Sequence, residues 1–427
     1  MKLKNKVIAV LNQDYFYSVI SKLVGVLLAL VYSAFYTRYL GAALKGDAAI
    51  ISNYISLISS FTALGMYQAY PYYRKKGEDI FYPFINNMTT LYALMTVFSL
   101  LLIAVLPVSA NLKFAICLVP VQSFIRHINY VVMIETPRRR NTASMVIAAQ
   151  EIVVVVFFYF FTQATYVHLL LILLLQNLFN LAVSWSNLKV ILKKLRFDLS
   201  QVKRYATFGI LPMVTLILMT LNYRVDILML EDLFHTPKAS IGIYSVGVAL
   251  GEKIWLVPDA LKDILMSHLA NGSDKQETAK VTRMSLLVVV FMLVCLILLG
   301  KPFILLLYGE EYAGAYEILV IMLIGVVGMV FYKMIYAFNV VNGKRVINLV
   351  FLGAAAVLNI IGNYFLIPLG GIAAAATVAG LALSWISARK YHRDDLTIDE
   401  AKKTWTPEQQ AKADAELKAA LEEKEEK

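Results

Sequence analysis

The sequence predicts an all-α polytopic membrane protein whose twelve transmembrane helices form two groups of six. Of its 427 residues, 59% are hydrophobic and 16% are charged, which is far more apolar than the core of a soluble domain requires. The apolar residues fall in runs of about 20, the length that spans the roughly 30 Å hydrocarbon core of a bilayer. The basic residues cluster between these runs, as is typical of cytoplasmic loops.

The predicted spans can be placed in order along the chain. They lie near residues 15–36, 48–70, 84–106, 112–134, 142–161, 166–187, 207–230, 241–268, 284–300, 315–339, 346–366 and 370–388. The charged stretch MKLKNK before the first run suggests a signal peptide, but that run is too long and has no clear small-residue cleavage site. We therefore interpret it as a retained helix.

The loop charges predict the orientation of the helices. If the N-terminus is cytoplasmic, the basic clusters such as Arg138–Arg140 all lie on the inner side. The outer loops then hold only Arg38, Lys45, Lys113, Lys238 and Lys301. Because short loops rich in Lys and Arg stay in the cytoplasm, both termini are expected there. The net charge of +11 is explained by these loops, so a nucleic-acid partner is not expected.

The longest insertion between spans predicts how the chain is divided. We expect an N-terminal lobe at residues 1–190, a cytoplasmic amphipathic linker at 191–206, a C-terminal lobe at 207–390 and a charged helical tail at 391–427. Weak similarity between the halves, with an offset of about 200 residues, indicates parallel six-helix repeats. In particular, Gly41 and Gly46 after the first span have a counterpart in the turn that ends at Gly242.

Charged residues within the spans are the main functional candidates, because each costs roughly 2.5–3.5 kcal/mol at the bilayer centre and normally faces a bundle interior or a wet cavity. On the eighth span, helical spacing places Glu252, Asp259 and Asp263 on one face, and Pro258 predicts a kink beside them. Glu252 and Asp259 are candidates for ion coupling or gating. The structural alternative is that Asp259, Lys262 and Asp263 lie near the membrane surface and pair with one another.

The seventh span carries Asn222, Arg224 and Asp226. Residues two apart point in nearly opposite directions on a regular helix, so Arg224 and Asp226 are not expected to face the same cavity. Arg224 is the preferred cavity residue, because a guanidinium binds phosphate in a bidentate manner. Asn222 is a further substrate-binding candidate, and Asp226 a coupling or gating candidate.

Polar residues within the other spans complete the candidate site. Arg126 and Lys22 are candidate substrate-binding cations, and Glu151 is a candidate coupling carboxylate because burial raises the pKa of such a group. Alternatively, Glu151 forms a structural ion pair with Lys22 or Arg126. Lys333 either contributes to a cationic lumen or extends toward the membrane surface. Cys117 and Cys295 both lie in apolar runs and indicate neither a disulfide nor a metal site.

Three stretches of sequence resemble a known family. They are YTRYLGAALKG at the end of the first span, YRVDILML with the following GIYSVG, and LLLYGEEYAGAYEIL followed by NGKRVINLVFLGAAAVLNIIGNYFLIPLGGIAAAATVAG. Together they are similar to polysaccharide flippases of the O-antigen and capsule type, within the multidrug, oligosaccharidyl-lipid and polysaccharide exporter superfamily. The first turn departs from the family pattern, since Lys45-Gly46-Asp47 stands where an aromatic residue often precedes the glycine.

The resemblance implies a transporter rather than an enzyme. It implies two six-helix lobes around a central cavity, alternately open to each face, and an undecaprenyl-pyrophosphate-linked oligosaccharide as the substrate. It implies no cofactor other than H⁺ or Na⁺ as a coupling ion, as in an antiporter. Membrane lipids and polysaccharide assembly proteins are the expected partners.

Three other functions remain open from the sequence. A drug exporter of the same superfamily would carry an acidic cavity for cations, which Glu151, Glu252 and Asp259 would suit but Arg126 and Arg224 would not. A cell-wall precursor flippase would be expected to have fourteen helices. A membrane-embedded polysaccharide-modifying enzyme would need a catalytic base or a large outer loop, and the outer loops here are short.

Overall fold

The computed structural model of the chain describes residues 2–190, 192–256, 258, 259, 261, 262, 265, 275–341, 346 and 348–373. Within these ranges the secondary structure is helical, with no strand. The predicted tail at 391–427 and most of the predicted twelfth span lie outside the described residues.

The first lobe contains six helices. These are α1 (Lys2–Thr62), α2 (Ala69–Lys75), α3 (Phe81–Val105), α4 (Ala110–Glu135), α5 (Pro137–Phe161) and α6 (Tyr166–Asn187). The second lobe contains α7 (Val202–Leu228), which continues into one π-turn (Met229–Leu233), then α8 (Lys238–Lys253), α9 (Lys275–Tyr308), α10 (Ala315–Val341) and α11 (Asn348–Ala373). Eight segments of the described chain are long and apolar enough to cross a membrane, which agrees with the predicted fold class.

The turn between the first two predicted spans is much tighter than the sequence indicated. Residues 37–47 are helical except at Gly41, whose φ of 67° and ψ of 172° break α1 into two arms. A left-handed φ is readily adopted only by glycine, so the chain changes direction at a single residue. We call residues 2–40 α1a and residues 42–62 α1b. The second span was also predicted to reach residue 70, but it ends at Thr62 because Leu64 and Gly65 both have positive φ.

Two further span boundaries differ from the prediction. The eighth span is interrupted at Ile254 and Trp255, which form a turn after α8, as expected from the backbone hydrogen bond that Pro258 cannot donate. The eleventh span was predicted to end at residue 366, but α11 continues through Pro368 to Ala373. Proline is tolerated in membrane helices when neighbouring groups satisfy the freed carbonyl.

The linker between the lobes is attached to α3. The Arg196 N–H donates to Asn86 Oδ1 at 3.2 Å, the Asp198 N–H to Thr90 Oγ1 at 3.1 Å, and the Gln201 N–H to Asn87 Oδ1 at 2.9 Å. A hydrogen bond from the Ser200 N–H lowers the pKa of Asp198. α7 begins at Val202, so the last five residues of the predicted linker are helical. These bonds fix the linker to the first lobe as far as the start of α7.

The arm α1b is the central element of the bundle. One buried cluster joins Ile50 and Ile51 of α1b to Ile227 of α7 and to Tyr244 and Val248 of α8. The opposite surfaces of the outer helices expose apolar side chains such as Phe98, Phe160 and Phe291, as expected for helices that face lipid. The lobes therefore meet along α1b, while their outer surfaces are apolar.

Two glycines allow α1b and α8 to cross at very close range. A Cβ placed on Gly46 would lie 2.0 Å from the Lys238 carbonyl oxygen, and one on Gly242 would lie 2.0 Å from the Ala42 carbonyl oxygen. Glycines at such crossings allow backbones to approach closely. The two residues that the internal similarity matched thus form one contact between the lobes.

We expect Gly46→Ala to lower the thermal stability of the purified protein, because overpacking a close contact costs about 1–3 kcal/mol. Gly25→Ala is the matched control, since a Cβ there meets nothing within 4 Å and replacing a helical glycine by alanine gains about 0.5–1 kcal/mol. The measurement is the midpoint of thermal unfolding in detergent. Equal midpoints for the two variants would contradict the crossing.

Candidate functional site

A polar stripe on α1b lines the space between the lobes. Lys45, Ser52, Ser56 and Ser59 are seven, four and three residues apart, a spacing that places them on one helical face. Lys45, Ser52 and Ser56 border a cavity of about 260 Å³. Its lining residues are Tyr36, Lys45, Ala48, Ala49, Ser52, Asn53, Ser56, Arg224, Ile227, Ser245 and Val248. We call this the basic cavity, because Lys45 and Arg224 are the only charged residues among those that line it.

Lys45 is a cavity residue that the sequence analysis assigned to an outer loop. Its Nζ lies 5.1 Å from the centre of the Tyr36 ring, within the range of a cation–π contact. No carboxylate of the described residues lies within ion-pair distance of this amine. The Tyr36 hydroxyl is buried and has no hydrogen-bond partner in the described chain. The helical spacing between Lys45 and the serines could have identified Lys45 as a cavity residue. It did not, because the predicted second helix began after residue 45.

The structure places Arg224 and Asp226 on different sides of α7. Arg224 lines the basic cavity, and its Nη1 lies 3.2 Å from Oε1 of Glu252 on α8. Asp226 is 3% exposed and accepts a hydrogen bond from the Tyr244 hydroxyl. The opposite directions agree with the two-residue spacing. The two candidates Arg224 and Glu252 therefore form one ion pair at the cavity wall.

Arg126 lies farther along the same polar stripe. Its Nη2 donates a long hydrogen bond of 3.4 Å to Ser59 Oγ, while Nη1 is buried with no partner among the described residues. The predicted alternative, an ion pair with Glu151, is not formed. Three cations thus lie along α1b. Lys45 is near the end of the bundle remote from the linker, and Arg126 is in the half nearer the linker. Arg224 lines the basic cavity with Lys45.

The remaining cationic candidates are placed differently. Lys333 is 7% exposed, pairs with Asp259 at 2.6 Å and lies 5.4 Å from the Trp255 ring centre. Asp259 also pairs with Lys262 at 3.1 Å. Lys22 lies on α1a, but its side chain is outside the described part of the structure, as is Asp263. Lys333 and Asp259 thus neutralise each other instead of lining the basic cavity.

Two carboxylates occupy polar positions inside the lobes. Glu151 of α5 has no hydrogen bond or ion pair with the described residues, although it lies within electrostatic range of Tyr36. Asp226 of α7 lies one helical turn after Asn222, which contacts α11. The Asn222 amide donates to the Leu352 carbonyl at 3.0 Å, and the Asn359 amide donates to the Asn222 carbonyl at 3.1 Å.

Both helices at the contact of α7 with α11 carry unpaired side-chain oxygens. One side-chain oxygen each of Asn222, Asp226 and Asn363 is buried without a hydrogen-bond partner in the described chain. Buried oxygens normally have partners, and carboxylate and amide oxygens are suitable ligands for hard cations. We call this group the α7–α11 oxygen cluster. Asn222 therefore lies away from the basic cavity, one helical turn from Asp226.

The lobes are also joined at the end remote from the linker. Arg38 of α1a donates to the Leu306 and Leu307 carbonyls at 2.5 and 2.8 Å, and the Ala42 N–H donates to Glu311 Oε1 at 2.8 Å. The first contact caps the C-terminal end of α9 with a cation, and the second caps the N-terminal end of α1b with a carboxylate, as helix dipoles favour. We call this pair of contacts the outer latch.

A second set of contacts joins the lobes at the linker end. Arg204 of α7 pairs with Glu78 at 2.7 Å and lies 3.9 Å from the ring centre of Tyr73. The Phe208 and Tyr72 rings lie 4.6 Å apart. The polar stripe is therefore bridged at both ends by contacts that cross between the lobes.

Two helical lobes enclose a polar, cationic path within an apolar bundle, an arrangement that is typical of membrane transporters. The chain belongs to the family described as "Polysaccharide biosynthesis protein", which matches residues 36–317. This confirms the family resemblance predicted from the sequence. No curated protein matches the full sequence significantly.

Solved structures of transporters share the fold. The chain is similar to a structure described as the lipid II flippase MurJ in an inward closed conformation, with a TM-score of 0.68, 16% identity and coverage of 88% of this chain and 87% of that one. It is also similar to an inward-facing multidrug resistance MATE family transporter of the MOP superfamily, with a TM-score of 0.64, 12% identity and coverage of 90% and 96%. These likenesses confirm the predicted all-helical membrane fold in two lobes.

We expect Glu311→Ala to weaken the outer latch and to expose the basic cavity from the latch end. The test uses Ser52→Cys in a background without Cys117 and Cys295, labelled by a membrane-impermeant thiol reagent added from that side. Because a hydrogen bond to a charged group contributes about 1.5–3 kcal/mol, the labelling rate should rise roughly tenfold. Glu310→Ala is the control, since it removes the same charge one residue away. Equal rates for both variants would show that the latch does not control access.

Proposed function

We propose that the protein is a flippase that carries a diphosphate-linked oligosaccharide on a polyprenyl lipid from the inner to the outer leaflet by alternating access. The observation that supports this most is the row of three cations along α1b, with Lys45 and Arg224 lining a cavity between the lobes. In this proposal the linker end faces the cytoplasm, and the undecaprenyl tail stays in the bilayer while the head group enters the bundle.

The chemistry of the basic cavity suits a compact anion. A diphosphate cannot cross about 30 Å of hydrocarbon without compensating charge. Arg224 supplies a planar guanidinium that binds two phosphate oxygens, Lys45 supplies a second charge, and the serines supply hydroxyl donors. The volume of about 260 Å³ lies just below the ~300–1,000 Å³ of typical ligand pockets, which favours the head group over a whole oligosaccharide.

The pair of Arg224 with Glu252 gives the empty cavity a balanced charge. An unpaired buried charge would cost several kcal/mol, so Glu252 compensates Arg224 when no anion is bound. An entering diphosphate competes with Glu252 for the guanidinium. We therefore assign Glu252 a gating role and Arg224 a substrate-binding role, with Arg126 and Lys45 before and after it along the path.

Coupling to a Na⁺ or H⁺ gradient is the second part of the proposal. The α7–α11 oxygen cluster offers one carboxylate and two amide oxygens without partners, the kind of ligands that a small hard cation takes. Asp226 would carry the charge, and Asn222 and Asn363 would complete the ligands. Glu151 is the alternative coupling group in the first lobe.

A multidrug exporter with the same fold is the competing function. Export of organic cations would need a carboxylate that faces the cavity without a cation beside it. The charged residues that line the basic cavity are a lysine and an arginine, and Glu252 beside them is paired. The charge of the cavity therefore favours an anionic substrate.

Arg224→Gln and Lys45→Gln should each reduce transport of an undecaprenyl-diphosphate oligosaccharide by about 10- to 100-fold, since charge-assisted hydrogen bonds contribute about 1.5–3 kcal/mol. The measurement is the rate at which lipid-linked saccharide becomes accessible on the opposite face of proteoliposomes with equal protein content. Lys253→Gln, at an exposed position on α8, is the matched control. Unchanged rates in both cavity variants would remove the basic cavity from the substrate path.

Asp226→Asn should leave transport in place but abolish its stimulation by an imposed Na⁺ or H⁺ gradient, because the substitution keeps the shape of the side chain and removes its charge. Flux is compared with and without each gradient, and the exposed Asp79→Asn serves as the control. If Glu151→Gln abolishes the stimulation while Asp226→Asn retains it, coupling lies in the first lobe.

A further inference from the structure

A second, larger cavity lies between the lobes on the linker side of the basic cavity. It has a volume of about 590 Å³, within the ~300–1,000 Å³ of typical ligand pockets. Its lining residues are Tyr67, Gln68, Tyr130, Phe208, Leu211, Pro212, Thr215, Leu216, Met219, Tyr332, Tyr336, Asn348, Leu349 and Leu352. Both lobes contribute to it, and none of these lining residues is charged. We call it the tyrosine vestibule.

Four of the residues that line the vestibule are tyrosines. Tyr67 and Tyr130 come from the first lobe, with ring centres 4.5 Å apart, and Tyr332 and Tyr336 come from α10, with ring centres 6.1 Å apart. No hydroxyl of the four has a hydrogen-bond partner among the described residues, and none is among the buried unpaired atoms. Each hydroxyl therefore keeps some accessible surface and is free to bond a ligand.

Such a lining matches the chemistry of a neutral sugar. A pyranose ring has an apolar C–H face that packs on aromatic rings and a rim of hydroxyls that needs donors and acceptors. Tyrosine offers both an apolar ring and a polar tip, and Gln68, Thr215 and Asn348 add further polar groups. A purely lipidic occupant would leave the tyrosine hydroxyls without partners, which costs about 1–3 kcal/mol for each buried group.

The vestibule is adjacent to the path of the anion. Arg126 and Tyr130 are four residues apart on α4, so they lie on one helical face. Tyr130 is within electrostatic range of Arg126, Tyr67 and Tyr336. A diphosphate held at Arg126 would thus place its attached saccharide among the four rings.

We propose that the tyrosine vestibule is a carbohydrate-binding subsite that holds the saccharide of the substrate while the diphosphate contacts Arg126. This inference rests on the proposed function, which it deepens by assigning separate sites to the sugar and the anion. Tyr332 and Tyr336 of the second lobe bind the sugar face opposite Tyr67 and Tyr130, so a bound saccharide touches both lobes.

The test compares the binding of two probes to the full chain in lipid nanodiscs: undecaprenyl diphosphate and undecaprenyl diphosphate that carries N-acetylglucosamine. The unmodified protein should bind the glycosylated probe about tenfold more tightly, a difference that corresponds to one or two aromatic contacts. Tyr332→Leu and Tyr336→Leu should remove this difference and leave the affinity for the bare diphosphate unchanged. Tyr332→Phe should retain most of it, because the ring remains.

The control is Tyr364→Leu, the same substitution at a tyrosine that is 54% exposed on α11, which should change neither affinity. Equal binding of both probes by the unmodified protein would overturn the subsite while leaving the flippase proposal in place. Equal weakening of both probes by Tyr332→Leu and Tyr336→Leu would show a general structural effect and would also overturn it. Binding of neither probe by the unmodified protein would overturn the proposed function itself.

Discussion

Placing cations inside an apolar bundle is the constraint on which the rest of this structure depends. A charge at the bilayer centre costs a few kcal/mol unless it has a partner or water, and Lys45, Arg224 and Arg126 all lie along one arm, α1b. Each is accommodated differently: Lys45 over a tyrosine ring, Arg224 beside Glu252, and Arg126 against Ser59. The serines of α1b and the interlobe cavity make these arrangements feasible, so the polar face of one helix organises the path.

The sequence stretches that resemble the family have a common structural role. The first stretch, around Arg38 and Gly46, contacts the third stretch, around Glu311, in the outer latch, and Gly46 crosses Gly242 of the second stretch. Segments that are about 200–270 residues apart in sequence thus meet where the two lobes join. The proposed alternating access requires contacts between the lobes that can form and separate, and the few hydrogen bonds of the outer latch meet that requirement.

The apolar runs were sufficient to predict the all-helical membrane fold, because helix length and hydrophobicity are local properties of the chain. The opposite directions of Arg224 and Asp226 also followed from helical geometry. The partners of the polar side chains were not predictable, because they depend on how distant helices pack. Lys333, for example, pairs with Asp259, and Asn222 contacts α11. Lys45 was missed because the reversal at Gly41 takes one residue, so a residue assigned to a loop lies within a helix.

Photo-cross-linking with a polyprenyl diphosphate that carries a diazirine beside the diphosphate would test the central claim most directly. If the head group passes along α1b, mass spectrometry of the full chain should find adducts at Ser52 and Ser56, and excess undecaprenyl diphosphate should suppress them. Adducts confined to lipid-facing residues such as Phe98 and Phe291, unaffected by the competitor, would contradict a diphosphate path between the lobes.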